Sequence, residues 1–317
     1  MKVARSTDPA RVALNGTVVD APGDVSHAGF CADRTMTYLR AHGAQGPSFI
    51  HMGIYAPHPP LNPPREIYER YRDVKIPEPH RRDGEHLDKP APLGPALERR
   101  TGGTTAEQFV AWRRYFYAMC TLLDEQIGRV LKFLEARGEL DDTLIVFQSD
   151  HGDMAGDHGL LSKGHVTLYP ECMRIPLVFH WPKGIPGGRR VGGLVEAVDI
   201  LPTMLDLCGA PVPRQLPGRS LAEGLRGGNA RGSREDVLAL MRNGAGGLAC
   251  MLRGAEHHYL NYGPGAEVLF DLREDPSMYV NQAGNPKYAS ALSHVRARAL
   301  ARTLAASDPV TEKVHNY

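Results

Sequence analysis

The sequence predicts an α/β protein in which a mostly parallel sheet is flanked by helices and followed by a small C-terminal antiparallel α+β subdomain. Three observations predict it. Strand-length apolar runs alternate with helical stripes up to about residue 208. Beyond it, four closely spaced strand-like runs appear, closed by one helical stretch. Between the two patterns lies the polar, Gly-rich break 227–234. The expected division is therefore an α/β domain over 1–226 and an α+β subdomain over 234–317.

In chain order, a short β-rich piece over Val12–Val19 precedes a helical period over Phe30–His42. Pro47–Tyr55 then reads as a buried strand that ends in Ala56-Pro57-His58-Pro59-Pro60. Pro63–Arg100 is Pro-rich, charged and aperiodic, a long excursion expected over the surface, roofing a site. Thr104 or Thr105, followed three residues later by Glu107 or Gln108, opens a capping box. Behind it, Phe109, Trp112, Phe116, Met119, Leu122, Val130 and Leu134 form a continuous helical stripe to about Arg137, where Gly138 stops it. Thr143–Phe147 and Arg174–Trp181 read as buried strands, and Val198–Cys208 as a helix with Pro202 in its first turn. The C-terminal strands are expected at Val237–Met241, Leu248–Leu252, His258–Tyr262 and Val268–Leu272, and the last helix at Lys287–Leu304.

With 317 residues, 42% hydrophobic content and a formal charge of +1, the chain can bury a large core and has no field that would draw nucleic acid or an acidic membrane surface. The abundance of Gly (34) and Pro (25) predicts long ordered loops, where sites are built. The five cysteines are widely spaced with no Cys-x-x-Cys pair, which argues against a disulfide framework. No run approaches the ~18 apolar residues of a membrane span, and the first residues lack a secretory pattern. Both point to the cytoplasm. Asn15-Gly16-Thr17 is read as a chance match to a glycosylation acceptor.

The chemistry concentrates in Ser149-Asp-His-Gly-Asp-Met-Ala-Gly-Asp-His-Gly-Leu-Leu-Ser-Lys-Gly-His165, directly behind an apolar strand. Asp150 offers a hard anionic oxygen and His151 a nitrogen. A turn through Gly152 lets both face one divalent cation at the sheet edge. Asp153, Asp157, His158 and His165 read as turn formers or as partners of the ligands, and His51 and His180 as satisfied core or strand-end histidines.

These residues carry a family resemblance. Ser149-Asp-His-Gly-Asp with Lys163, then Tyr169-x-Glu171-x-x-x-Arg174-Ile-Pro176, resembles the sulfatases of the alkaline phosphatase superfamily. Pro57-His58-Pro59-Pro60 is similar to their substrate-binding histidine motif, and Val268–Pro276 with Asn281 to a strand and turn of their C-terminal subdomain. The resemblance implies an alkaline phosphatase-like fold and metal-dependent hydrolysis of sulfuric esters. Asp150 and His151 are then ligands of calcium, with manganese or zinc as alternatives. Lys163 binds the anion's oxygens, and His58 binds it or assists the leaving alcohol. The two side chains are expected to converge despite their separation in sequence. Ammonium and metal neutralise the charge that spreads over the transferred group's oxygens, and an imidazole donates a proton to a departing alkoxide.

One departure is plain. The family's Cys/Ser-x-Pro-x-Arg nucleophile segment, converted to formylglycine, does not occur in this sequence. Cys31-Ala-Asp-Arg-Thr35 lacks the proline and has its arginine one place early, so Cys31 reads as a helix-face cysteine. The expectation is a sulfatase missing its first segment, with an unpaired sheet edge prone to self-association. The alternatives are a phosphonate monoester or phosphodiester hydrolase relative, or a catalytically silent anion-binding protein.

Overall fold

The computed structural model describes residues 16–43, 46–101, 104–164, 166–228, 232–242 and 247–307. His165 and residues 12–15 of the expected β-rich piece lie outside the described residues. In chain order the elements are helices α1 (His27–His42), α2 (Arg65–Glu69), α3 (Leu93–Thr101) and α4 (Ala106–Ala136), strand β1 (Ile145–Gln148), α5 (Pro170–Met173), β2 (Leu177–His180), β3 (Gly193–Leu194), α6 (Ile200–Leu207), α7 (Ala222–Leu225), β4 (Gly232–Ser233), β5 (Asp236–Arg242), β6 (Leu248–Gly254), β7 (His257–Asn261), β8 (Glu267–Asp271) and α8 (Ala289–Ser307). No described helix is long and apolar enough to cross a membrane.

The described residues form two compact units. The first draws on Met1–Arg81, Arg100–Thr143 and Asp153–Ser162, and the second on Arg82–Arg99, Leu144–Gly152 and Lys163–Tyr317.

In the first unit α4 is the organising element. Thr105 caps it as the sequence predicts: its hydroxyl accepts from Gln108 N at 3.3 Å, and the Gln108 side chain accepts from Thr105 N at 2.8 Å. The predicted stripe is the buried face, with Phe109, Trp112, Met119 and Leu122 packed against Leu61, Ile67 and Leu161. Each such side chain contributes about 1.5–3 kcal/mol when fully buried. Gly138 adopts φ +69° just past the helix end. α1, capped by Ser26, which accepts from Gly29 N at 3.1 Å, packs on α4 with Asp33 paired to Arg129 at 2.7 Å.

The expected strand at Pro47–Tyr55 is a correction. This run carries no strand assignment, and Phe49 is 79% and Tyr55 56% exposed. Its apolar side chains fit a sheet interior, but among the described residues no neighbouring strand pairs with it. His51 is exposed with it and is not a core residue.

In the second unit β1 pairs with β2 antiparallel, Ile145 opposite His180 and Phe147 opposite Val178. The two strands are half-buried rather than buried, and His180 is exposed, because each has only the other as a ladder partner among the described residues. The only parallel ladder among the described residues is β3 with β4. The predicted C-terminal strands appear within a residue or two of their expected bounds as the antiparallel sheet β5-β6-β7-β8. α8 covers one face of it through Leu292, Val295 and Ala299, packed on Leu252, Tyr259 and Leu269.

A buried charge network fixes the start of this sheet. Arg234, 6% exposed, pairs with Glu196 at 3.0 Å and with Asp199, while Arg302 of α8 joins Glu196 at 2.6 Å and Asp236 at 2.5 Å. Burial alone would raise the Asp199 carboxyl. Hydrogen bonds from Arg234 and two backbone amides outweigh it and hold the group below the ordinary carboxylate range.

Candidate metal centre and its loop

Asp150 and His151 stand just beyond the C-terminal end of β1, where a strand hands its last side chains to a turn. Local hydrogen bonds shape that turn. Ser149 Oγ donates to His151 O at 2.7 Å, and Asp150 Oδ1 accepts from His151 N at 2.9 Å. His151 Nδ1 lies 2.7 Å from Gly152 O. A carbonyl only accepts, so Nδ1 carries the proton and Nε2 presents its lone pair, the arrangement that suits a metal-ligating imidazole. That Nε2 sits 3.6 Å from Asp150 Oδ2, with the Asp150 side chain 85% and the His151 side chain 31% exposed. An oxygen and a nitrogen at that separation can share one cation, and this donor set suits a divalent ion.

α5 buttresses the turn from behind. Gly152 N donates to Cys172 O at 2.8 Å, and a Cβ on Gly152 would lie 1.9 Å from Glu171 O. Only glycine permits this approach.

His58 belongs to the first unit. Its Nδ1 is 2.6 Å from Pro59 O and its ring lies 4.4 Å, centroid to centroid, from that of Tyr55, leaving Nε2 as the atom available to a ligand. Lys163, half-buried, belongs to the second unit with Asp150 and His151. Cys31 lies on α1, where its thiol donates to Gly53 O at 3.3 Å, and burial raises its pKa above the ordinary thiol value.

Sequence reasoning missed Arg113. Its side chain, 8% exposed, donates to Asp157 Oδ1 at 2.5 Å and to the carbonyls of Ala155 at 2.6 Å and of Pro77 and Glu78 at 3.1 Å each. The available signal was an arginine set among Phe109, Trp112 and Phe116 on an apolar helical face, a position that a cation holds only with a partner. Asp157, read as a turn former or as a partner of the ligands, pairs with this arginine, and it also accepts from His80 N at 2.7 Å. Asp153 Oδ1 accepts from Ala155 N and Ser162 N at 2.9 Å each. Asn281 is a clamp in the second unit, its Oδ1 accepting from Leu269 N and Ala283 N at 3.0 Å each.

The sulfatase family profile matches residues 15–210, more than half of the sequence. The chain belongs to the sulfatase family. Among curated relatives it is similar to the multifunctional alkaline phosphatase superfamily protein PehA of Trinickia caryophylli, 31% identical over 90% of this chain and 61% of that protein. It is likewise similar to an arylsulfatase of Clostridium perfringens, 27% identical over 83% of this chain and 55% of the relative. The chain thus spans about three-fifths of the length of these relatives. Among solved structures, the phosphonate monoester hydrolase of Silicibacter pomeroyi superposes with a TM-score of 0.80 at 26% identity, over 95% of this chain and 66% of that one. The phosphonate monoester hydrolase of Agrobacterium radiobacter gives 0.79 at 27% identity, over 90% of this chain and 63% of that one. These likenesses give the α/β, alkaline phosphatase-like fold class.

Proposed function

We propose that this chain carries the metal-binding and anion-binding part of a sulfuric ester hydrolase. The observation that carries the reading is the pair Asp150 Oδ2 and His151 Nε2, 3.6 Å apart at a strand end, with the imidazole tautomer fixed for ligation. Bound there, a divalent cation, calcium by preference and manganese or zinc as alternatives, supplies a Lewis acid for the oxygens of a sulfate ester. The protein's own part is then specific. Asp150 and His151 hold the cation. Lys163 places an ammonium on the anion, and His58, with Nε2 free, binds the anion or hands a proton to the departing alkoxide. The same reading takes 1–226 as the sulfatase-type domain and 234–317 as the subdomain appended to it. It also takes the cytoplasm as the site of action, and an unpaired sheet edge as the surface through which copies self-associate.

A second reading is a phosphonate monoester or phosphodiester substrate. The two phosphonate monoester hydrolase structures, at 26% and 27% identity, support it.

The test is cation binding followed by turnover. Calcium titrated calorimetrically should bind the wild-type chain and not Asp150→Ala. Because the sequence holds no Cys/Ser-x-Pro-x-Arg, a chromogenic aryl sulfate should be hydrolysed only at the Asp150→Ala background, since loss of a nucleophile costs orders of magnitude in rate. Appreciable turnover abolished by Asp150→Ala would instead show that the chain carries its own nucleophile and require mass spectrometry of Cys31 for formylglycine; calcium binding unchanged in Asp150→Ala would overturn the metal assignment.

A further inference from the structure

The run 47–55 that leads into His58 has no strand partner among the described residues, so the aim of its side chains falls to contacts within the first unit. Those contacts converge on Tyr55. From α1, the Cys31 thiol donates to Gly53 O at 3.3 Å, His27 Nδ1 accepts from Tyr55 N at 3.5 Å, and the His27 ring meets the Tyr55 ring edge-on at 6.3 Å and 76°. On the other side, three groups of Tyr55 serve His58. The Tyr55 carbonyl accepts from His58 N at 3.0 Å, and the two rings lie 4.4 Å apart at 39°. The Tyr55 hydroxyl donates to Pro59 O at 3.4 Å, the same carbonyl that takes the His58 Nδ1 proton at 2.6 Å. Tyr55 is 56% exposed, so its contribution lies in these contacts rather than in a core. An imidazole on a surface turn has two freedoms that weaken it as an acid or an anion ligand: rotation about χ2, which is broad for a ring, and choice of tautomer. Pro59 O fixes the tautomer only while the ring keeps Nδ1 turned towards it. The Tyr55 ring against the imidazole is the contact that resists the rotation.

We propose that Tyr55 is a positioning residue for His58: its ring holds the imidazole with Nδ1 bonded to Pro59 O and Nε2 presented to the anion. The role rests on the reading of His58 as the imidazole that binds the anion or protonates the leaving alkoxide. It adds a residue that lies outside the Pro57-His58-Pro59-Pro60 motif and acts only through His58.

The experiment is nitrogen-15 NMR of the imidazole rings in the full chain, with His58→Gln to assign the ring and inorganic sulfate as the anion probe. Tautomers are read with imidazoles neutral, at about pH 8, and sulfate is titrated with imidazoles charged, at about pH 5.5. In the wild type His58 should show a protonated Nδ1 and a bare Nε2 at the higher pH, and sulfate should shift its resonances at the lower. Tyr55→Leu removes the aromatic contact, so the tautomers should mix and sulfate affinity should fall about two- to tenfold. Tyr55→Phe keeps the ring and should restore both to near wild type. Tyr55→Gln removes the ring in another way, so the question remains answerable if the leucine variant fails to fold. A single Nδ1-protonated tautomer in a variant without the ring overturns the proposal, and so do mixed tautomers with wild-type sulfate affinity. A Tyr55→Phe protein as impaired as Tyr55→Leu overturns it as well, since the ring would then not be the holding group. The two readings fail differently. If sulfate leaves the wild-type His58 ring unshifted, the anion reading of His58 fails first; if it shifts the ring equally in wild type and Tyr55→Leu, the positioning role alone fails.

Discussion

Replacing Gly152 by alanine tests how the metal turn is held. The added Cβ would sit 1.9 Å from Glu171 O and 3.0 Å from Glu171 C, whereas a carbon and a carbonyl oxygen in contact stay about 3.3 Å apart or more. Roughly 1.4 Å of relief is therefore needed. The obstacle is backbone of α5, bonded in turn to Gly152 N through Cys172 O at 2.8 Å, so no side chain can swing away. Overpacking of this kind costs about 1–3 kcal/mol, and loss of the Gly152–Cys172 hydrogen bond adds about 0.5–1.5 kcal/mol. The expected total is about 2–4 kcal/mol. Expressed as stability, this is a fall in melting temperature of about 3–6 °C for a chain of this length. If the turn instead moves off α5, it appears as a loss of calcium affinity of about thirtyfold to a thousandfold. Melts with and without calcium, together with calorimetric titration, divide the cost between the two. Gly164→Ala is the control, because a Cβ there meets nothing within 4 Å. A Gly152→Ala protein that melts within 2 °C of wild type, taken as about 1 kcal/mol, and binds calcium normally would refute the close-approach argument.

Asn281→Ala should destabilise the second unit by about 2–3 kcal/mol, because it strips the acceptor from the amide of fully buried Leu269; urea midpoints followed by far-UV dichroism would measure it, and a shift too small to resolve would count against the clamp. Acid lability is expected from Asp199 and Glu267. Arg234 and Arg296 respectively help hold their carboxyls below the ordinary values of 3.8 and 4.5. The unfolded chain therefore takes up these protons first, and the contribution is complete above about pH 5 and lost as the pH falls through the lowered folded values. Thermal midpoints between pH 7 and pH 3 read this directly, and Arg234→Met should flatten the dependence.

What was legible in the sequence was local. α4 could be read with its cap because Thr105, Gln108 and a stripe at helical spacing decide a helix within a few residues of its own chain. The strands β5 to β8 followed from short apolar runs broken by turns. Asp150 and His151 were legible for the same reason, since the strand before them and the glycine after them are contiguous. Pro47–Tyr55 misled because apolar composition reports what a strand would bury, and burial requires partners that composition cannot supply. Arg113 was overlooked because its meaning lies in Asp157, 44 residues on.

The Ser-Asp-His-Gly run shows why four consecutive residues can specify a site so fully. Ser149 binds the carbonyl of His151, Asp150 binds its amide, and the carbonyl of Gly152 takes the proton on Nδ1. Three of the four residues thus fix the backbone and tautomer of the other, leaving Nε2 and Asp150 Oδ2 as the atoms not consumed by the turn's own bonding. Replacing His151 by asparagine would keep a metal-ligating oxygen but remove the imidazole nitrogen, so affinity for zinc should fall more than affinity for calcium. Replacing Ser149 by alanine should loosen the turn and lower both affinities alike. Calcium and zinc titrations of the two variants distinguish a ligand from a residue that shapes the turn. If both variants lower the two affinities in the same proportion, the division of labour argued for this run is wrong.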